Sequence, residues 1–167
     1  MEKLWSPWRS KYIESFKNDS EEKKCIFCTM AEYKIDGDNN LVVDQGINTF
    51  TVLNLYPYNN GHLMVVPKKH TSEFNELNEI ELLEVMKKLQ SAQMALTEVM
   101  HPHGFNIGAN IGKVSGAGID EHIHFHLVPR WNGDTNFMPV IGEVKVISQD
   151  LLETKKKLIL AYKQLSL

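Results

Sequence analysis

The sequence predicts an α+β domain built on a largely antiparallel sheet. Short apolar stretches separated by turn residues arrive as a series of about five strands. One long amphipathic stretch separates the third strand from the fourth, and a further helical stretch closes the chain.

In order, Ser10 to Phe16 reads as a short helix after the Pro7 turn, and 17–24 as a polar, charged loop. Cys25 to Tyr33 reads as a second helical piece. Asp36-Gly37-Asp38-Asn39-Asn40 is a turn. Leu41-Val42-Val43 and Thr49 to Asn54 read as strands. Gly61 to Pro67 is a more buried strand, ended by proline. Asn78 to Met100 is the clearest helix, with Leu82, Val85, Met86, Leu89, Leu96 and Val99 assigned to one core-packing stripe. Asn78 caps its start, with Glu81 three residues on. His101 and His103, around Pro102, fall in an exposed turn. Gly104 to Asn110 is a short strand, and Gly112 to Gly118 is a loop whose three glycines permit unusual backbone angles. The last strand spans about Glu121 to Arg130. Ser148 to Leu165 is the final helix, with Leu151, Leu158, Ile159 and Tyr162 on its apolar side and Lys155-Lys156-Lys157 on a solvated face. There is no internal repeat or linker, so residues 1–167 read as one domain.

The 167 residues suffice for one core, and 43% apolar with 23% charged residues is ordinary for a soluble globular protein. A net charge of −3 offers no global basic field for nucleic acid. No apolar run reaches the length of a membrane span, and Met1 to Arg9 lacks the apolar stretch of a secretory signal. The cytoplasm is the expected location. The only cysteines, Cys25 and Cys28, have two residues between them, which points to metal or redox chemistry rather than a structural disulfide.

The most informative segment is His122-Ile123-His124-Phe125-His126-Leu127-Val128. Alternation along a strand puts the three imidazoles on one face, while Ile123, Phe125 and Leu127 press into the core from the other. A neutral imidazole is a nucleophile at neutral pH and leaves readily once protonated. Attack on phosphorus gives a phospho-imidazole, with neighbouring imidazoles and N–H groups of the glycine-rich loop holding the phosphate. The same alternation is compatible with a metal site.

This segment resembles the signature of the histidine triad (HIT) family, histidine followed by an apolar residue three times over. Gly61-His62-Leu63-Met64-Val65-Val66-Pro67-Lys68-Lys69-His70 resembles the family's strand around its fourth histidine. Asn54 stands at the spacing of the ribose-binding residue, and Asn110-Ile111-Gly112 resembles the α-phosphate segment. The resemblance covers roughly 25–135. Leu4-Trp5-Ser6-Pro7-Trp8-Arg9, Ser115-Gly116-Ala117-Gly118 and the run from Val128 to Met138 resemble the bacterial and archaeal branch similar to diadenosine tetraphosphate phosphorylases. Hydrolase and phosphoramidase branches carry glutamine and a hydroxyl residue where this chain has Gly118 and Ile119, so Ser115 or loop N–H groups are left to serve the leaving group.

The resemblance implies a HIT-like fold and residue roles. His124 is the nucleophile, His126 and His62 surround the phosphate, Asn54 binds the ribose, Asn110 the α-phosphate, and Ser115 and Gly116 belong to the phosphate loop. Phe50 and Leu53 lie near the base. Zinc-containing members imply a structural zinc held by Cys25, Cys28, His70 and His122; the cysteine spacing alone also fits a redox pair or a metal-free remnant. The implied substrates are purine nucleotides or dinucleoside polyphosphates, with inorganic phosphate or water as acceptor and no organic cofactor, in a homodimer. A phosphoramidase and a non-catalytic nucleotide-binding protein are the rival readings.

Overall fold

The computed structural model describes residues 25–37, 40–134 and 149–166. The expected Ser10–Phe16 helix and the tryptophans Trp5 and Trp8 lie outside these residues.

Within them the chain runs α1 (Ile26–Ala31), β1 (Val42–Gln45), β2 (Thr49–Leu53), β3 (Leu63–Pro67), α2 (Glu79–Met100), β4 (Gly104–Ala109), β5 (Phe125–Arg130) and α3 (Leu151–Gln164). The strands form one sheet in the order β1-β2-β3-β5-β4, every pair antiparallel. β2 and β3 are buried throughout because both faces of the sheet are covered. Alternation divides them between two cores. Leu53, Leu63 and Val65 pack with Val85, Leu89 and Leu96 of α2 and Leu158 of α3. Phe50, Val52, Met64 and Val66 pack with Phe27 of α1 on the other face. No helix among the described residues is long and apolar enough to cross a membrane.

The α2 start is a reciprocal cap: Asn78 Oδ1 accepts from Glu81 N–H at 3.0 Å, and Glu81 Oε2 accepts from Asn78 N–H at 2.9 Å. Such a cap contributes about 1 kcal/mol. At its end His101 takes the left-handed conformation (φ 48°), and its N–H donates to the Thr97 carbonyl. Gly61 is required where β3 begins. It has φ +74°, and a Cβ there would lie 2.6 Å from Met100 Sδ.

Three expectations are corrected. The last strand begins at Phe125, so His122 and His124 lie in its approach rather than in the ladder. Upstream of Phe125 the chain turns to other partners, Ile123 N–H donating to Thr71 O and His122 Nε2–H to Pro67 O. Met86 is 56% exposed, because the buried stripe of α2 is narrower than the apolar one. Lys155 is not solvated. It is 5% exposed, and its amine donates to the carbonyls of Gly37 and Asn40, while Lys156 and Lys157 remain in water.

Candidate functional site

Two histidine clusters meet on the α1 face of the sheet. In the first, Asn54 directly follows β2, β3 is entered through His62, and β5 carries His126 opposite Met64. His62 Nδ1 accepts from Tyr58 N–H at 3.0 Å, with Asn54 Nδ2 at 3.4 Å. The backbone donor leaves only one assignment for a neutral ring. His62 Nε2 carries the proton and donates to His126 Nδ1 at 2.9 Å, which places the proton of a neutral His126 on Nε2. Tyr58 lies against both rings, at 4.6 Å and 5.6 Å between centroids.

His124 is fixed by its own segment. Its Nδ1–H donates to the His122 carbonyl at 2.9 Å, so Nε2 keeps its lone pair. Phe27 of α1 lies 4.9 Å from the ring. Burial pushes the His124 imidazole below its ordinary value of 6.5, outweighing the support that the carbonyl gives the protonated form. The ring is therefore held neutral with one basic nitrogen, the state a nucleophile needs.

His124 and His126 line a cleft of about 60 Å³ together with Asn54, Asn110, Gly118 and Ile119. Not every expected residue is there. His62 is fully buried and stands behind His126. Ser115 and Gly116 do not line the cleft. Their N–H groups donate within a tight turn to Gly112 O and Lys113 O, and Ser115 Oγ donates to Gly112 O at 2.6 Å. Phe27, Tyr56, Tyr58 and Met64 line it without having been singled out from sequence. The spacing of Tyr56 and Tyr58 from Asn54 was visible, but nothing in it marked them as wall residues. An apolar cavity of about 250 Å³ continues from the cleft, sharing Phe27, Asn54, Tyr56, Met64 and Ile119 and adding Met30, Leu41 and Leu53. Of the two residues expected near a base, Leu53 lines it, whereas Phe50 is buried in the core of that face. His101 and His103 are exposed, with His103 Nδ1 accepting from Asn132 N–H.

The second cluster is Cys25, Cys28, His70 and His122, whose ligating atoms all lie within 4.8 Å of one another. His122 Nε2–H donates to Pro67 O at 2.8 Å, which leaves Nδ1 bare and turned to the thiols. Nδ1 of His122 lies 3.3 Å from Cys25 Sγ, 3.7 Å from Cys28 Sγ and 3.3 Å from His70 Nδ1; Cys28 Sγ lies 3.4 Å from His70 Nδ1. A tetrahedron with zinc–ligand bonds has edges of about 3.3 Å between two nitrogens and about 3.6 Å between nitrogen and sulfur. The donor set thus has the size and composition of a closed Cys₂His₂ cation site. In the protein alone, burial pushes the Cys25 thiol up to about 11, so a thiolate there at neutral pH calls for a cation. Burial also lowers His122, against the Pro67 carbonyl.

The HIT domain family model matches residues 38–133. The chain is 41% identical over 161 residues to the AP-4-A phosphorylase of Mycobacterium tuberculosis (strain ATCC 25618 / H37Rv), covering 95% of this chain and 83% of that protein. A zinc-bound histidine triad family protein from Mycobacterium smegmatis superposes with a TM-score of 0.68 at 28% identity, over 86% of this chain and 96% of its own. A hypothetical histidine triad nucleotide-binding protein from Sulfolobus tokodaii shares the fold, with a TM-score of 0.67 at 24% identity, over 85% of this chain and 94% of its own.

Proposed function

The chain belongs to the HIT domain family, and we propose that it is a nucleotidyl transferase or hydrolase acting on dinucleoside polyphosphates through a covalent nucleotidyl-His124 intermediate. The observation that carries the chemistry is the Nδ1–H bond from His124 to the His122 carbonyl, which leaves Nε2 as the basic nitrogen of a cleft-lining ring. Likeness to the mycobacterial AP-4-A phosphorylase supports the substrate class.

In the proposed reaction His124 Nε2 attacks the α-phosphorus. An N–P bond forms, the bridging P–O bond breaks, and the nucleoside polyphosphate leaves with that oxygen. An oxygen of inorganic phosphate, or of water, then attacks the same phosphorus, and the N–P electron pair returns to His124. His126 directs its Nε2–H at the phosphate oxygens where charge develops. His62 acts through His126, holding that tautomer. Asn54 takes the ribose hydroxyls, Asn110 the α-phosphate, and the apolar cavity a purine base. Cys25, Cys28, His70 and His122 would hold a structural zinc; with four protein ligands it supplies a fixed backbone beside His124 rather than a reactive water.

A homodimer fits the same picture. Ile80, Leu83, Met86 and Met94 are exposed and fall within one stripe of α2, opposite the buried Val85, Leu89 and Ala92. Among the described strands β4 stands at the edge of the sheet, and its Ile107 is also exposed.

The test is product analysis with diadenosine tetraphosphate. ATP and ADP formed only with inorganic phosphate identify a phosphorylase, and ATP with AMP a hydrolase. No consumption, together with cleavage of an adenosine phosphoramidate, overturns this reading in favour of a phosphoramidase. Full activity in His124→Ala removes the covalent route.

A further inference from the structure

Lys155 lies in α3, outside the stretch that the HIT model matches. A lysine on a surface helix ordinarily keeps its amine in water, and Lys156 and Lys157 do. Burying an ammonium group is costly unless strong acceptors meet it. Lys155 Nζ donates to Gly37 O at 2.7 Å, Asn40 O at 3.0 Å and Asn40 Oδ1 at 3.2 Å. These acceptors belong to one loop. Asn40 closes that loop from inside, its Nδ2 donating to Lys34 O and Gly37 O and its Oδ1 accepting from Val42 N–H. Lys155 fastens it from outside, by charge-assisted bonds to carbonyls that the turn leaves facing α3.

The two ends of this loop, Tyr33 on one side and Asn40 and Leu41 on the other, help to line the apolar cavity that continues from the His124 cleft. Leu53 and Tyr56 contribute to the same cavity from β2 and the turn after it. None of the described loop residues lines the cleft itself. The hold of α3 on the cavity wall is therefore separate from the reacting groups.

We propose that Lys155 is a positioning residue for the nucleoside, setting the wall formed by Tyr33, Asn40 and Leu41 and thereby the affinity for the base without touching it. This rests on the nucleotide reading of the site. It places part of the substrate selectivity in the C-terminal helix, and predicts an effect on binding rather than on the chemical step.

The experiment compares wild-type protein with Lys155→Met and with Leu158→Ala, a core change in the same helix that leaves the loop bonds intact. Calorimetric titration with AMP, steady-state kinetics with diadenosine tetraphosphate, and amide hydrogen exchange over residues 33–41 are the readouts. Lys155→Met should weaken AMP binding and raise KM by about five- to tenfold, with kcat changed by less than about twofold. Exchange at 33–41 should quicken. Leu158→Ala should lower Tm while leaving AMP affinity unchanged. Should Lys155→Met fail to fold, Lys155→Gln carries the same test. Wild-type affinity in the lysine variant, unchanged exchange at 33–41, or equal weakening by Leu158→Ala overturns the inference. If wild-type protein itself fails to bind AMP, the nucleotide reading falls, and this inference with it. If wild type binds and Lys155→Met binds equally, only the role of Lys155 is lost.

Discussion

His122 and His124 stand two residues apart, face the same side of the sheet and are both buried, yet they are set up for different work. The difference lies in which ring nitrogen the backbone occupies. Pro67 O takes the Nε2–H of His122 and leaves Nδ1 to face two thiols and a second imidazole. The carbonyl of His122 takes the Nδ1–H of His124 and leaves Nε2 for the cleft. In the proposed reading one completes a closed ligand set and the other is the nucleophile, and the peptide of His122 joins them. An imidazole's role thus follows from its hydrogen-bond partner more than from its place in a motif.

The sharpest way to break this comparison is His124→Ala. Turnover of diadenosine tetraphosphate should fall by about four orders of magnitude while zinc per chain stays at the wild-type level. Substantial residual turnover would mean that the proposed nucleophile has been misassigned. The next effect belongs to His126→Gln, which removes the donor proposed to meet the phosphate. A loss of about a hundredfold or more in kcat is expected, again with zinc retained.

Cys25→Ser tests the other cluster. It should abolish zinc retention, measured by metal analysis of the purified protein. The expected stability loss is about 3 kcal/mol, or about 10 °C in Tm. Its effect on turnover should be smaller, about tenfold, because a metal held there would act on His124 only through the backbone of His122. A zinc-free wild-type protein would remove the metal half of the comparison outright.

The smallest effect sits remote from both clusters. Burial acts to raise the Glu84 carboxyl, but bonds from Thr49 and Asn48 outweigh it and hold the group below its ordinary 4.5. Its contribution to stability is present above that value and lost as pH falls through the lower folded one. Glu84→Gln should therefore cost about 1 kcal/mol at neutral pH, with the gap narrowing in acid, as read by denaturant titration. Zinc content and turnover should not move.

Much of this was legible in the chain, for a physical reason. The five strands and the α2 cap at Asn78 depend on residues close in sequence, and so does the parity of His122, His124 and His126. Local periodicity records them directly. The clustering of Cys25, Cys28, His70 and His122 was legible only through resemblance, since spacing supplies two of the four donors.

Other features had no local signal. The β5 ladder starts late because the approach to it meets Thr71 and Pro67 instead of a continued strand. His62 is buried behind His126, since the Tyr58 N–H and the opposing strand decide where its nitrogens point. The Ser115 and Gly116 donors are engaged by a turn that the glycines permitted but did not specify. Lys155 is the plainest case. Three consecutive lysines on a helix look alike in sequence, and only the loop brought against α3 makes one of them a buried fastening. The sequence by itself determined the elements, their faces and the residue types available for chemistry, because those follow from short-range sterics and alternation. The tertiary structure alone decided tautomers, burial and which donors remain for a ligand, because each depends on a partner distant in the chain.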